Sequence, residues 1–201
     1  MPTVEQGKKL LAYMKAKGYR IWAINIVYLE DCNPDTWQPV TGKLDAWDDC
    51  RILLRNTGEV LLSCEATTEP GRYYTTNRMN PKGAARLALG QHLDAWCFGD
   101  HNGQLALVQC NPVKVHRDHN QDGSRVGDKV DTGLFGINHH TTGLPGSSQS
   151  LASIGRWSAG CCVGRYTKTH YEKFIPILKG SGRRLFDATL IQATDFVNFK
   201  G

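Results

Sequence analysis

The chain has 201 residues, a length that a single hydrophobic core can serve, and it shows no internal repeat or low-complexity tract. Its net charge is +5, and the 24 lysines and arginines are scattered along the chain, which argues against a nucleic-acid-binding surface. No run of about 18 apolar residues is present that could span a bilayer. We therefore predict one domain over residues 1–201, with no membrane span and no nucleic-acid partner.

The first predicted element is a helix within residues 1–18. Thr3-Val4-Glu5-Gln6 has the form of a capping box, and Gly18 stands where a helix would stop. The apolar face of this helix would consist of Leu10, Leu11 and Met14.

Short apolar segments separated by turn signals predict a mainly β domain with short helices. The first, Tyr19 to Glu30, is apolar on both alternate faces, which is typical of a buried central strand. Residues 31–49 predict a long irregular connection. Asn56-Thr57-Gly58 predicts a hairpin turn. The further predicted strands are Arg51 to Leu54, Val60 to Thr67, Ala95 to Phe98, Leu105 to Gln109, Val113 to His116, Leu134 to Asn138 and Leu185 to Ala193.

A second capping box is predicted near the C-terminus. Thr169-His170-Tyr171-Glu172 would begin a helix that runs to about Leu178, and Pro176 would kink or shorten it.

The seven cysteines are an odd number, and no two of them form a C-x-x-C motif. This spacing fits neither a zinc ribbon nor a small disulfide-stapled scaffold. Residues 1–20 also lack the apolar core of a signal peptide. The simplest interpretation is a set of reduced thiols in a protein made in the cytosol.

One cysteine stands in a setting that suits covalent acyl transfer. Cys161 directly follows Gly160, and the pair His139-His140 lies upstream. In such chemistry a thiolate attacks a carbonyl, a histidine moves the proton, and N–H groups near the glycine approach the oxyanion. Cys162, which precedes Val163, fits an unreactive core thiol instead.

These residues resemble the signature of the L,D-transpeptidases. Ile137-Asn138-His139-His140 followed by Ser158-Ala159-Gly160-Cys161 matches a histidine, a spacer in the mid-teens and then Ser/Thr-x-Gly-Cys. The resemblance covers roughly residues 60–166 and is to a compact branch found in bacteria and their phages. Its upstream phrases are Thr68-Glu69-Pro70-Gly71, Asn80-Pro81-Lys82-Gly83, Ala106-Leu107-Val108-Gln109 and Asp131-Thr132-Gly133-Leu134-Phe135-Gly136.

The resemblance implies a β-sandwich-like catalytic domain and an enzyme that acts on peptidoglycan. Its cysteine would take the acyl group of a stem peptide at the third residue and expel the terminal D-alanine. The acyl group would then pass to an amine, which crosslinks, or to water, which trims. No cofactor is expected, and the predicted partners are peptidoglycan stem peptides.

The same resemblance implies a role for each site residue. Cys161 is the nucleophile, and His140 is the base because it is the fourth residue of the family phrase. Adjacent side chains on a strand face opposite sides, so His139 and His140 cannot both face the thiol. Backbone amides at Gly160 and Cys161 would form the oxyanion site, and Ser158 would support the turn. Imidazolium beside the thiol would lower the thiol pKa.

Two positions depart from the family pattern. The family commonly has histidine at the position of Ala159 and arginine at the position of Val163. Arg165 is the candidate to replace that arginine in binding a substrate carboxylate. His101 and His139 are further candidate substrate-binding residues.

Three other motifs have a structural interpretation that we prefer. Asp118-His119-Asn120-Gln121-Asp122-Gly123 copies the start of a calcium-binding EF-hand loop, with Asp118, Asn120 and Asp122 as ligands. Lys129 stands where the closing acid should be, so we favour an acidic turn and expect no metal. The carboxylates of Asp45, Asp48 and Asp49 fit a solvated loop better than a metal site. Tyr73 and Tyr74 fit core aromatics of a strand better than a binding groove.

Two other classes of protein compete with the enzyme. One is a non-catalytic structural or wall-binding module of a phage or injection machine that keeps the fold. The other is a cysteine peptidase that acts on proteins, which would need substrate pockets that no feature of the sequence shows. Because peptidoglycan lies outside the membrane, action at the cell wall or periplasm would require a removed export signal, phage lysis or an injection machine.

Overall fold

The computed structural model of the protein describes residues 2–147 and 151–201. Eleven strands are present in these ranges: β1 (Ile24–Glu30), β2 (Asp49–Arg55), β3 (Val60–Thr67), β4 (Ala84–Leu87), β5 (Gly90–His101), β6 (Gln104–Gln109), β7 (Val113–Asp118), β8 (Lys129–Gly133), β9 (His139–Thr141), β10 (Cys162–Gly164) and β11 (Leu185–Gln192). The helices are α1 (Val4–Ala16), α2 (Arg72–Thr76), α3 (Thr167–Thr169), α4 (Ile175–Gly180) and α5 (Ala193–Asn198). The prediction of a mainly β fold with short helices is therefore confirmed.

Eight strands close into a barrel in the order β1-β11-β5-β6-β9-β10-β3-β2, and β4-β7-β8 form a separate sheet. Neighbours in the barrel are antiparallel except for two parallel pairs, β1 with β11 and β9 with β10. Each barrel strand has a neighbour on both sides. The architecture differs in this respect from the sandwich of two open sheets that the family resemblance implies.

Strand β1 shows why its sequence is apolar on both faces. Ile26 and Tyr28 belong to the main core, to which most barrel strands contribute. Val27 and Leu29 point the other way and pack with the buried face of α1. The predicted central strand is confirmed, although it begins at Ile24 instead of Tyr19.

Helix α1 matches its prediction closely. Gln6 N–H donates to Thr3 Oγ1 at 3.2 Å, and Thr3 N–H donates to Gln6 Oε1 at 2.8 Å, which is the reciprocal pair of a capping box. The helix ends at Ala16, and Gly18 follows with a φ of +70°. Glycine adopts this left-handed conformation without steric cost.

The predicted strand from Leu134 to Asn138 is wrong. These residues form an irregular connection between β8 and β9, in which Gly136 has a φ of +71°. Their backbone is held by a side chain instead of a strand ladder: Gln109 Oε1 accepts the N–H groups of Phe135 at 2.9 Å and Ile137 at 3.1 Å.

The predicted cap at Thr169 is also wrong. Helix α3 already begins at Thr167, and a π-helical turn over His170–Phe174 joins it to α4. Thr169 therefore lies inside the helical segment and caps nothing. Pro176 is the second residue of α4 and directly follows the π-helical turn, so its missing N–H group interrupts the hydrogen-bond ladder inside the helical segment.

One disulfide corrects the prediction that all cysteines are reduced. Cys97 on β5 is bonded to Cys110, which follows β6, and the other five cysteines are free thiols. Antiparallel pairing of β5 with β6 brings the two sulfurs together, a proximity that the spacing alone did not reveal. Within the described ranges, no helix is long and apolar enough to cross a membrane.

Candidate active site

The parallel pair β9–β10 decides which histidine faces which cysteine. Cys162 is paired with His139 and Val163 with His140. Because side chains alternate along a strand, Cys161 and His140 lie on one face of the pair, and Cys162 and His139 lie on the other.

The second face belongs to the main core. His139 is fully buried, its Nδ1 atom lies 2.8 Å from the Tyr28 hydroxyl, and its ring stands edge-on to Trp96 with centroids 4.4 Å apart. Cys162 is fully buried in the same core. The structure thus does not bring His139 to the site, contrary to its predicted substrate-binding role, whereas Cys162 lies in the core as expected.

Cys161 meets two imidazoles on the first face. Its Sγ atom and one ring nitrogen each of His101 and His140 all lie within 4.8 Å of one another. The rings of His101 and His140 are tilted against each other, with centroids 4.3 Å apart. His101 comes from the end of β5, so the barrel brings together three residues that are far apart in the sequence.

The backbone fixes the tautomer of His140. Its Nδ1 atom lies 2.9 Å from the carbonyl oxygen of Thr141. A carbonyl can only accept, so Nδ1 carries the proton and the neutral ring has its lone pair at Nε2. Within the described part of the chain, His140 Nε2 is buried without a hydrogen-bond partner. This nitrogen can accept a proton, as a general base must.

The Cys161 thiol and the His140 imidazole are both neutral in the resting protein. Burial raises the pKa of the Cys161 thiol to about 11, although a hydrogen bond from Asn138 N–H to Sγ at 3.4 Å acts against this rise. Burial, with smaller contributions from His101 and Arg51, lowers the pKa of His140 to about 3. The site therefore holds a thiol and a neutral imidazole, and not the imidazolium expected to lower the thiol pKa.

The turn before Cys161 requires glycine. Gly160 has a φ of +129°, and a Cβ atom there would lie 2.4 Å from the Ala85 carbonyl oxygen. The Ser158 hydroxyl donates to Cys161 O at 2.8 Å and accepts Gly160 N–H at 3.1 Å, so Ser158 holds the turn as predicted. The Gly160 amide is thereby engaged, which leaves only the Cys161 amide from the predicted oxyanion pair.

Arg51 holds the site from the core side, and sequence reasoning missed it. This buried side chain donates to the carbonyl oxygens of His140 at 3.1 Å and Cys162 at 2.7 Å, and to the Tyr28 hydroxyl at 2.8 Å. It also lies over the Phe174 ring at 4.4 Å. A charged residue within an apolar strand was the available sequence signal, since buried arginines need such partners.

The predicted carboxylate-binding arginine faces elsewhere. Arg165 forms an ion pair with Glu65 at 3.0 Å and donates to Leu151 O at 3.1 Å. Val163, where the family commonly has arginine, is fully buried. Arg156 instead lines the same cleft as Cys161, with its guanidinium 3.9 Å from the centre of the Tyr73 ring.

The open side of Cys161 and His140 is a cleft of about 710 Å³. Its walls come from α2, the β5–β6 hairpin and the segments that precede β9 and β10. Tyr74 lines it from α2, so this residue is neither in a strand nor in the core. The described lining contains no carboxylate: Tyr74, Met79, His101, Asn102, Gln104, Phe135, Gly136, His140, Thr142, Gly143, Leu144, Ser147, Arg156, Trp157, Ala159 and Cys161.

Two groups of described residues have a donor set that could hold a metal ion. His101, His140 and Cys161 offer the nitrogen and sulfur ligands that zinc prefers. Asp31, Asp48 and Asp49 offer three carboxylates. Asp49 is buried and accepts the N–H groups of Asp31 at 3.1 Å and Thr68 at 2.7 Å, so it is part of the packed core and not of a solvated loop.

The loop that resembles an EF-hand has the hydrogen bonds of a turn. Asp118 Oδ2 accepts Gly123 N–H at 3.1 Å, and Asp122 Oδ1 accepts Ser124 N–H at 2.7 Å. Asn120 donates to Asp122 at 2.7 Å. These bonds to the local backbone are those of the acidic turn that the sequence favoured.

Comparisons with protein-family models, with curated proteins and with solved structures give no match. The resemblance to the L,D-transpeptidases therefore rests on the sequence motifs alone.

Proposed function

We propose that the protein is a cysteine acyl enzyme of L,D-transpeptidase type that acts on peptidoglycan stem peptides. The observation that carries this proposal is the proximity of Cys161 and His140 in an open cleft: a ring nitrogen of His140 lies within 4.8 Å of Sγ, and its Nε2 atom is buried without a hydrogen-bond partner among the described residues. A nucleophile, an oriented base and a tight glycine turn are the parts that covalent acyl transfer needs.

The neutral Cys161 thiol and the neutral His140 imidazole determine how the first half-reaction proceeds. Sγ attacks the carbonyl carbon of the third stem residue while its proton passes to His140 Nε2, so thiolate forms only as the new bond forms. In this proposal the Cys161 amide donates to the oxygen that becomes negative. Collapse of the tetrahedral intermediate expels the terminal D-alanine, whose amine takes the proton from His140. An amine or water then attacks the thioester.

The charge of the cleft supports an anionic substrate. Arg156 lies in its wall, the described lining has no carboxylate, and the whole chain carries a net charge of +5. Stem peptides end in a carboxylate, so a positive cleft attracts them. Tyr74, Trp157 and Phe135 offer apolar surface for the side chains of the peptide.

The proposed place of action is the cell wall or periplasm. The Cys97–Cys110 disulfide supports it, because structural disulfides persist in oxidising compartments and are rare in the cytosol.

The competing function is a metal-dependent reaction, which the His101, His140 and Cys161 donor set favours. A non-catalytic wall-binding module is the third candidate. The three functions differ in what they predict for chelation and for turnover.

The test compares two adjacent cysteines. Cys161→Ala should abolish D-alanine release from a disaccharide-tetrapeptide muropeptide, followed by liquid chromatography and mass spectrometry. Cys162→Ala should keep turnover within about threefold, while losing some stability because its thiol is part of the core.

Two further outcomes separate the candidates. Loss of turnover on treatment with a chelator, restored by zinc, would favour the metal-dependent reaction. A folded wild-type protein that binds the muropeptide without turnover would favour the non-catalytic module. Equal loss in both folded cysteine variants would mean that the nucleophile is assigned to the wrong sulfur.

A further inference from the structure

His101 has a hydrogen-bonding state that its neighbours fix. The Oδ1 atom of Asn138 accepts Gln109 N–H at 2.9 Å, which orients the carboxamide. Its NH₂ group must then face the other way, and it lies 2.9 Å from His101 Nδ1. Since an amide NH₂ group can only donate, His101 Nδ1 accepts, and the neutral ring carries its proton at Nε2.

The two imidazoles of the cleft are therefore complementary. His140 has its proton at Nδ1 and a lone pair at Nε2, whereas His101 has a lone pair at Nδ1 and a proton at Nε2. Burial lowers the pKa of both rings, so both are neutral and their contact at 4.3 Å between centroids brings no charge repulsion. One ring can accept a proton, and the other can donate a hydrogen bond.

The oxyanion site also needs a second donor. The Gly160 amide is bonded to Ser158 Oγ at 3.1 Å, so the turn offers the Cys161 amide alone. Tetrahedral oxyanions in acyl transfer are commonly held by two or more donors. His101 lines the cleft, and one of its ring nitrogens lies within 4.8 Å of Sγ.

We propose that His101 is a catalytic residue that donates a hydrogen bond from Nε2–H to the carbonyl oxygen of the acyl group attacked by Cys161. Asn138 is the positioning residue that keeps the proton at Nε2. The proposal rests on the proposed acyl transfer at Cys161, but it holds for any acyl group and does not depend on peptidoglycan being the substrate.

The proposed step balances without a further reactant. The S–C bond forms as the carbonyl electron pair moves to oxygen, and the thiol proton goes to His140 Nε2. His101 keeps its own proton and stabilises the negative oxygen. When the intermediate collapses, the electron pair returns to form the C=O bond, the bond from the acyl carbon to the leaving group breaks, and the proton on His140 passes to the leaving group.

Two small probes separate this role from thiol activation. Acetylation of Cys161 by 4-nitrophenyl acetate passes through a tetrahedral oxyanion, whereas alkylation by iodoacetamide is a direct displacement without one. Each reaction adds mass to the peptide that contains Cys161, and mass spectrometry measures that addition. The Cys161→Ser variant gives the background from other side chains.

His101→Ala should slow acetylation about 100-fold, since removal of one oxyanion donor typically costs 10²–10³-fold. Alkylation at the same pH should change less than about threefold. His101→Gln, whose amide can still donate, should recover at least about tenfold of the acetylation rate. His119→Ala, an exposed histidine outside the cleft, is the matched control and should change neither rate.

Unchanged acetylation in folded His101→Ala would overturn the proposal, as would equal slowing of both reactions, which would assign His101 to the thiol itself. Failure of the proposed peptidoglycan function would appear separately, as a wild-type protein that is acetylated by the ester but does not process muropeptides.

The tautomer of His101 can be measured directly. In ¹⁵N-histidine-labelled protein, the two-bond nitrogen–proton couplings of His101 should show the proton at Nε2. Asn138→Asp places an acceptor beside Nδ1, so the proton of the neutral ring should move there. Acetylation, measured above the pKa to which the new carboxylate raises His101, should then fall as in His101→Ala. A wild-type spectrum with the proton at Nδ1 would contradict the assignment.

Discussion

Single hydrogen bonds decide what each residue of the cleft can do. Thr141 O holds the proton of His140 at Nδ1, and Asn138 Nδ2 holds that of His101 at Nε2. Neither partner is charged, so the hydrogen bond to Thr141 O opposes the lowering of the His140 pKa by burial less than a carboxylate would. Cys161 is consequently a thiol in the resting protein, and in the proposed reaction its proton leaves only during attack.

The pH dependence of Cys161 alkylation should reveal this state. Burial raises the thiol pKa to about 11, and the neutral His140 supplies no opposing charge. Because the pKa of Cys161 is raised, its protonated and unreactive thiol persists to a higher pH. The alkylation rate by iodoacetamide should rise about tenfold per pH unit from 7 to 9 without a plateau. Peptide mapping measures it, with glutathione as the reference thiol.

A plateau in the rate below pH 8 would show that Cys161 exists as a thiolate beside imidazolium, as the sequence resemblance implied. His140 would then carry a proton on both ring nitrogens at neutral pH.

Sequence predicted that Cys161 and His140 lie on the same face, but it did not predict their surroundings. Strand alternation selects one histidine of the pair for the thiol, and a glycine before Cys161 indicates a tight turn, both of which are local properties. His101, Asn138 and Arg51 act through contacts that depend on which strands become neighbours. Only the closed barrel brings them together.

At the scale of elements, the short parallel pair β9–β10 carries the site and needs support from elsewhere. Each strand has only three residues. Arg51, on β2, donates to a carbonyl oxygen of each strand and so ties both to β2. In the described part of the chain, no carboxylate lies within ion-pair distance of Arg51, so its charge is balanced by dipoles and aromatic faces.

Arg51→Met should destabilise the fold by about 2–4 kcal/mol, because buried carbonyl oxygens lose their donor. It should also slow acetylation of Cys161 in the protein that remains folded, since the two strands lose their common anchor. Arg55→Met on the same strand is the matched control. Its ion pair with Glu59 is exposed, so the free energy of unfolding should change by less than about 0.5 kcal/mol. Urea denaturation measures both.

Equal destabilisation by the two substitutions would mean that the buried guanidinium bonds do not support β9 and β10.

Element boundaries were predictable where local signals agreed with the fold. The bounds predicted for β3 match those observed, and α1 has its capping box. Prediction failed where side chains replaced regular backbone pairing. Gln109 supplies the acceptors for Phe135 and Ile137, and the π-helical turn at His170 has no signal in helix periodicity.

At the scale of the whole molecule, the barrel assembles the cleft from segments that are distant in sequence, and the disulfide constrains one of them. Cys97 and Cys110 join the two strands of the β5–β6 hairpin, whose tip carries His101. The pairing of these strands continues from Trp96 and Gln109 to His101 and Gln104, so the hairpin has its own hydrogen-bond ladder. The disulfide should therefore stabilise the fold more than it shapes the site.

Reduction of this disulfide should lower the melting temperature and leave the chemistry intact. Its sequence separation of 13 residues corresponds to about 3 kcal/mol of lost loop entropy in the unfolded chain, or about 6–12 °C in a protein of this size. The Cys97→Ser/Cys110→Ser variant should show the same shift by calorimetry and should no longer respond to a reductant. Acetylation of Cys161 at 25 °C should stay within about threefold of wild type, because the ladder still places His101. A loss of acetylation as large as in His101→Ala, in a variant that remains folded, would show that the covalent link and not the strand pairing positions this histidine.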